Sequence, residues 1–220
     1  MPHLLHLDSS ARSDSFSRRL GARFAAGWRG RAPARLHLPG PRRRPRPADR
    51  AGLDGGLRRA APPGDHDPAR YVEVVHTPAQ RTAWAVVAPL LDELLAADVV
   101  LIATPMYNFS VPAALKAWID QVTFPRMSLA GRRFVVVSAR GGAYGPGTPR
   151  EPVDHQARYL RDFLDGHFGV TDAVFVSAEL TNALVDPRLA DRRDAHAASR
   201  AAAEAEVDRL AAELTAPAAA

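Results

Sequence analysis

The 220-residue chain contains no cysteine, which excludes disulfides, thiolate metal sites and a cysteine nucleophile and gives no reason to expect secretion. No apolar run approaches the ~18 residues of a membrane-spanning helix. The start, Met1-Pro2-His3-Leu4-Leu5, lacks the charged and long apolar regions of a signal peptide, so we expect a soluble cytoplasmic protein without a membrane partner. Several chemical signatures are also missing. The glycine fingerprint of dinucleotide folds and the P-loop lysine are absent, and the eight histidines show no HExxH spacing. No GxSxG elbow occurs either, which argues against zinc and hydrolase chemistry.

Lysine is nearly absent too: Lys116 is the one lysine among 29 basic residues. The net charge is +5 and the pI about 10.3, a balance that can signal nucleic-acid binding. The charge is confined, however. Residues 29–59 hold ten arginines against Asp49 and Asp54, and the rest of the chain is slightly acidic. That stretch has no aromatic residue to stack a base, so we expect no nucleic-acid partner.

Within it, Pro39-Gly40-Pro41-Arg42-Arg43-Arg44-Pro45-Arg46-Pro47 can form neither helix nor ladder for want of backbone donors. We read 30–68 as an irregular, loosely attached segment, with 31–38 a poor second strand. The Arg, Pro, Ala and Gly bias also suggests a short local frame discontinuity in a GC-rich gene, which resequencing that returns one frame throughout would dispose of. Apart from this segment and a tail at 215–220, residues 1–220 read as one domain, long enough to bury about 70% of its unfolded surface.

The most informative stretch is Asp98-Val99-Val100-Leu101-Ile102-Ala103 followed by Thr104-Pro105-Met106-Tyr107-Asn108-Phe109-Ser110-Val111-Pro112. The aliphatic run suits a strand buried on both faces, and the Pro/Asn/Ser/Pro cluster ends it and starts a helix at Ala113. Ligands of open parallel sheets sit at the carboxyl ends of strands, where Met106, Tyr107, Asn108 and Phe109 are placed to hold a flat, polar-edged molecule. Packing of the sheet edge is the alternative. In the helix from Ala113 to Val122, Leu115, Trp118, Ile119 and Val122 suit either the core or a second subunit.

Other segments fall into the same pattern. His3–Leu7 reads as a first strand, and Asp8-Ser9-Ser10-Ala11-Arg12-Ser13-Asp14-Ser15-Phe16-Ser17 as a hydroxyl-rich loop before a helix with Phe16, Leu20, Phe24 and Trp28 on one face. Amides, dipole and hydroxyls there suit a phosphate monoester, or form only an N-cap. A helix from Pro78 to Ala96 precedes the central strand. Arg132–Val137 is a fourth strand, followed by Ser138-Ala139-Arg140-Gly141-Gly142-Ala143-Tyr144, whose glycines let backbone amides approach a ligand or simply form a turn. A helix over 153–166, a strand over 173–177 and a long helix over 187–214 complete a three-layer α/β pattern.

Three of these strings resemble the FMN-dependent NADH:quinone oxidoreductase/azoreductase family: Pro-Met-Tyr-Asn-Phe-Ser-Val-Pro with its following Leu-Lys and Trp-Ile-Asp, the opening Leu-His-Leu-Asp-Ser-Ser-Ala-Arg with Ser15-Phe16-Ser17, and Val-Val-Val-Ser-Ala-Arg-Gly-Gly. Gly169-Val170-Thr171-Asp172 before a last strand and Glu179 is a weaker fourth. The resemblance implies a flavodoxin-like fold with a five-stranded parallel sheet in order 2-1-3-4-5, FMN as cofactor, NADH or NADPH as reductant, a quinone or azo acceptor reduced by a ping-pong two-electron route, and a homodimer. It assigns Ser10, Ser15, Ser17 and the Phe16 amide to the FMN phosphate. Met106, Tyr107, Asn108, Phe109, Ala139, Arg140, Gly141 and Gly142 would meet the flavin ring, and Tyr144 is a candidate proton donor. No metal is implied, and FMN reductase, a tailoring reductase of an aromatic metabolite and a flavodoxin-like electron carrier are the rival readings. The family's second-strand Arg-Asp-Leu turn is missing, and 123–131 is shorter than in relatives, so the flavin is expected to be open or covered by Phe124 and Met127.

Overall fold

A computed structural model describes residues 2–29, 34–36, 68–124 and 126–215. The irregularity and the frame discontinuity read into 30–68 lie outside the described residues, apart from the short strand at 34–36 and the turn that begins at Pro68.

The chain alternates strand and helix: β1 (Leu4–Asp8), α1 (Phe16–Arg29), β2 (Ala34–Leu36), a 3₁₀ turn (Pro68–Val74), α2 (Pro78–Ala96), β3 (Val99–Pro105), α3 (Ala113–Val122), β4 (Arg133–Ala139), α4 (His155–Phe168), β5 (Val174–Ala178) and α5 (Arg193–Thr215). The strands pair in parallel in the spatial order β2-β1-β3-β4-β5. β3 lies at the centre, with all seven residues buried, in register with β1 (Leu4 beside Val99) and with β4 (Val99 beside Arg133). Its β-branched, aliphatic sequence follows from that burial, since helices cover both faces.

Alternation along β3 sorts the core into two layers. Val99, Leu101 and Ala103 face Leu20, Phe24 and Trp28 of α1 and Val207 and Leu210 of α5. Val100 and Ile102 face Val87, Leu91 and Leu94 of α2, Leu115, Trp118 and Ile119 of α3, and Leu160 and Phe163 of α4. Each such side chain removed from water contributes about 1.5–3 kcal/mol, which holds the three layers together. The apolar face of α3 therefore belongs to the core. α1 sits very close to the sheet because Gly21 has no side chain: a Cβ there would lie 2.5 Å from His6 Nε2 and 2.8 Å from the Ala103 Cβ.

Two expectations change. The helix expected over 187–214 is divided: Asp186 caps a 3₁₀ turn at Pro187–Arg192, Leu189 leaves helical angles (φ −111°, ψ 19°), and the α-helix begins at Arg193. Phe124 and Met127 do not reach the sheet's carboxyl edge to cover a ligand. Both are buried in the α2–α4 layer, where Phe124 packs on Tyr71 at 5.1 Å and Trp84 at 6.5 Å. Two large apolar side chains on a short loop gain more from the core than from solvent.

Candidate active site

The carboxyl ends of β1, β3 and β4 converge on a cavity of about 570 Å³, within the range of small-molecule sites. Ser10, Ser15 and Phe16 line it from the β1–α1 loop, Met106, Tyr107, Asn108 and Phe109 from the β3–α3 loop, and Ala139, Gly141 and Tyr144 from the β4 loop. Ten of the thirteen residues singled out in the sequence thus meet in one place.

The β1–α1 loop is a set of hydrogen-bond donors. Ser15 Oγ and Ser17 Oγ are 3.0 Å apart, Asp8 accepts from Ser10 N at 3.0 Å, and α1 carries no acid in its first turn. The amides of Ser15, Phe16 and Ser17 donate to no acceptor among the described residues, as expected of a helix N-terminus. Ser17 is fully buried behind Ser15 and does not line the cavity; its hydroxyl supports Ser15 instead. The Phe16 ring stands edge-on to His196 at 5.4 Å with Arg19 4.2 Å above it, which leaves its backbone as the polar contact.

The β3–α3 loop is a tight turn. Tyr107 and Ser110 exchange both main-chain hydrogen bonds at 3.0 Å, and Asn108 and Phe109 adopt φ of 49° and 66°. Asn tolerates that region and Phe does not. The strain, of order 1–3 kcal/mol at such positions, holds the Phe109 ring out over the cavity, 46% exposed and 6.3 Å from the Tyr144 ring. Met106 N donates to Ala139 O at 2.9 Å and ties this turn to the next loop.

In the β4 loop, Gly141, Gly142 and Ala143 offer amides that bond nothing among the described residues, whereas Tyr144 N donates to Glu179 at 2.9 Å. A Cβ at Gly141 would fall 2.8 Å from the Asn182 side chain, so glycine keeps the backbone open to the cavity. Gly142 faces Arg150 instead of the cavity. Arg140 departs further from its expected role. Its guanidinium is 6% exposed and pairs with Asp154 at 2.8 Å and Glu179 at 3.5 Å. Its N donates to Ala178 O, and its O accepts from Thr181 N. With both backbone groups and the side chain engaged, Arg140 braces the loop from behind and offers nothing to a ligand. A buried cation must find its anions, and they lie behind the loop.

Sequence reasoning missed three groups of contributors. Asn182, Leu184 and Val185 wall the cavity from the turn after β5, which was marked only by its position at a strand's carboxyl end. Arg12 and Arg19 line the opposite end. Gln156, 1% exposed, donates to Pro105 O at 2.8 Å and Ser110 O at 3.5 Å, and so holds the strained turn from α4; a buried amide on a helix is visible only in three dimensions. Among the described residues no group of three His, Asp or Glu could hold a metal ion.

The donor set has a distinct polarity: serines and free amides at one end, aromatic rings along the floor, and glycine amides at the other end. That arrangement fits a phosphate joined to a planar, carbonyl-edged ring system such as FMN. A family model described as flavodoxin-like fold matches residues 2–206. An FMN-dependent NADH:quinone oxidoreductase of Nocardia farcinica is 58% identical over 206 residues, covering 91% of this chain and 94% of its own. One from Frankia alni is 38% identical, covering 93% and 96%.

The chain belongs to the FMN-dependent NADH:quinone oxidoreductase family.

Its fold also matches an FMN-dependent NADH-azoreductase of Bacillus anthracis solved in complex with FMN, with a TM-score of 0.71 at 17% identity, covering 97% of this chain and 100% of that one. In this chain, the three loops described above form the cavity at the sheet's carboxyl edge.

Proposed function

We propose that this protein is an FMN-dependent NAD(P)H oxidoreductase that reduces quinones by two electrons and azo compounds reductively. The observation that carries this reading is the convergence of the serine loop, the strained Met106–Phe109 turn and the glycine loop, through Ala139 and Gly141, on one cavity. FMN, when bound, supplies the two-electron transfer between the reductant and a quinone or azo acceptor.

The chain's own residues do the rest. Ser10, Ser15 and the amides of Ser15–Ser17 receive the phosphate, where the α1 dipole favours negative charge. Met106, Tyr107 and Phe109 give the flat ring an apolar floor, and Asn108 offers a polar contact. The amide of Gly141 donates toward a carbonyl edge and stabilises negative charge that develops there on reduction. Tyr144 stands beside Phe109 and is our candidate to donate a proton to the acceptor.

Reductant and acceptor use the same cavity in turn, which predicts ping-pong kinetics. We further propose one domain over residues 1–220 working as a cytoplasmic homodimer; the absence of cysteine agrees with a reducing compartment. The test is the visible spectrum of the purified protein, followed by anaerobic NADH and then a simple quinone. Yellow protein that bleaches and then recovers its colour supports the cofactor, the reductant and the order of events together. Colourless protein that takes up no added FMN would refute the reading.

A further inference from the structure

We propose that Arg12 is a charge-bearing contact for the flavin phosphate, a role that rests on the FMN reading above. The neighbouring charges are already committed. Arg18 pairs with Asp8 and also donates to Arg12 O at 2.6 Å, Ser13 O at 3.0 Å and Ser10 O at 2.9 Å, so it is spent on holding the loop. Arg19 pairs with Asp14 at 2.6 Å and lies over the Phe16 ring. Arg12 lines the same cavity, and its guanidinium has no ion pair and no hydrogen bond among the described residues. Its backbone, by contrast, is fixed at both ends: Arg12 N donates to Ser10 Oγ at 3.3 Å, and its O accepts from Arg18. The loop therefore presents one uncommitted cation from a held main chain.

The anion needs it. A phosphate monoester carries close to two negative charges near pH 7, while a helix N-terminus supplies only about half a positive charge. The first turn has no acid to repel the anion, but its hydroxyls are partly used: one hydrogen of the Ser15–Ser17 pair is consumed between them. Ser10 Oγ accepts from Arg12 N and keeps its own hydrogen to donate. A guanidinium fork adjoining these donors completes the neutralisation with directional, charge-assisted hydrogen bonds.

Full-length protein stripped of flavin would be titrated with FMN and with riboflavin, which lacks the phosphate, by following flavin fluorescence. The expected result is that Arg12→Gln weakens FMN about tenfold and leaves riboflavin unchanged, that Arg12→Lys falls between, and that high salt narrows the difference. FMN bound by Arg12→Gln as tightly as by the wild type would overturn the proposal. So would an equal loss for both flavins, which marks a damaged loop. An unchanged FMN affinity with a raised KM for NADH or NADPH would also overturn it and assign the guanidinium to the reductant's phosphates. Wild-type protein that takes neither flavin would overturn this role and the FMN reading together.

Discussion

At the serine end of the cavity the Arg19–Asp14 pair faces solvent, whereas at the glycine end the Arg140–Asp154 pair is largely buried. Arg19 and Asp14 have side chains 50% and 82% exposed; Arg140 and Asp154 are 6% and 15% exposed. Exposed pairs contribute about 0–1 kcal/mol, so the serine loop owes its shape to the hydrogen bonds that the Arg18, Asp8 and Ser10 side chains make to its backbone, and can spare Arg12 for a ligand. The glycine loop instead rests on one buried guanidinium between two carboxylates. Asp154 caps α4 through Ala157 N, and α4 carries Gln156 to the strained turn. One brace thus supports both loops that would hold the ring. Cations of the same type do opposite work at the two ends: Arg12 is free to bind, and Arg140 is fixed to position.

The largest effect is expected where the brace is cut. Arg140→Ala leaves the half-buried Asp154 and Glu179 without their cation and empties the space of a buried side chain, which costs about 2–4 kcal/mol, and urea denaturation should show the midpoint falling accordingly. A midpoint within error of the wild type would mean that the two ends are held alike.

Gln156→Ala removes the donor to Pro105 O and Ser110 O and should cost about 1–3 kcal/mol. Flavin affinity should fall with it, because the turn beneath the ring loosens; calorimetric titration with FMN would detect this.

Phe109→Gly sharpens the contrast between stability and binding. Glycine accepts a φ of 66° without strain, so thermal unfolding should show a gain of up to about 1 kcal/mol, while FMN binding weakens for loss of the ring. A loss of stability would show that the exposed ring is held by packing and carries no strain.

The smallest effect belongs to the solvent-facing pairs. Hydrogen bonding to Arg23 holds the Asp208 carboxyl below its ordinary value. A depressed folded-state pKa adds stability above the unfolded value of about 4, and that stability is lost as pH falls through the folded value. Wild type and Asp208→Asn should therefore differ slightly at pH 7 and converge in acid, a comparison that chemical denaturation at several pH values would make.

Much of the site was legible beforehand because it depends on local signals. The aliphatic run of β3 ended by Pro105, the serines before α1 and the paired glycines after β4 each mark a strand's carboxyl end, and parallel topology brings such ends together. Boundaries were less legible. The kink at Leu189 follows no residue that compels it, and Asp8 and Ala139 join their strands through neighbours that only the sheet supplies.

Side-chain direction was the least legible. Arg140 sits among ligand-facing residues in the chain, yet its partners Asp154 and Glu179 come from other elements, and a buried guanidinium turns to whatever anions the fold brings within reach. Phe124 and Met127 joined the core for a similar reason: the nearest apolar surface lies inward, against Tyr71 and Trp84. What the amino-acid order determined by itself was which segments are strands, helices and phosphate-suited loops, since periodicity, capping and backbone freedom are local properties. Tertiary structure alone decided that Arg12 is left uncommitted while Arg140 is consumed, that Gln156 holds the strained turn, and that Asn182 and Val185 close the cavity. Pairing of charges and burial of polar groups depend on distances between residues far apart in the chain, and only the packed fold sets those distances.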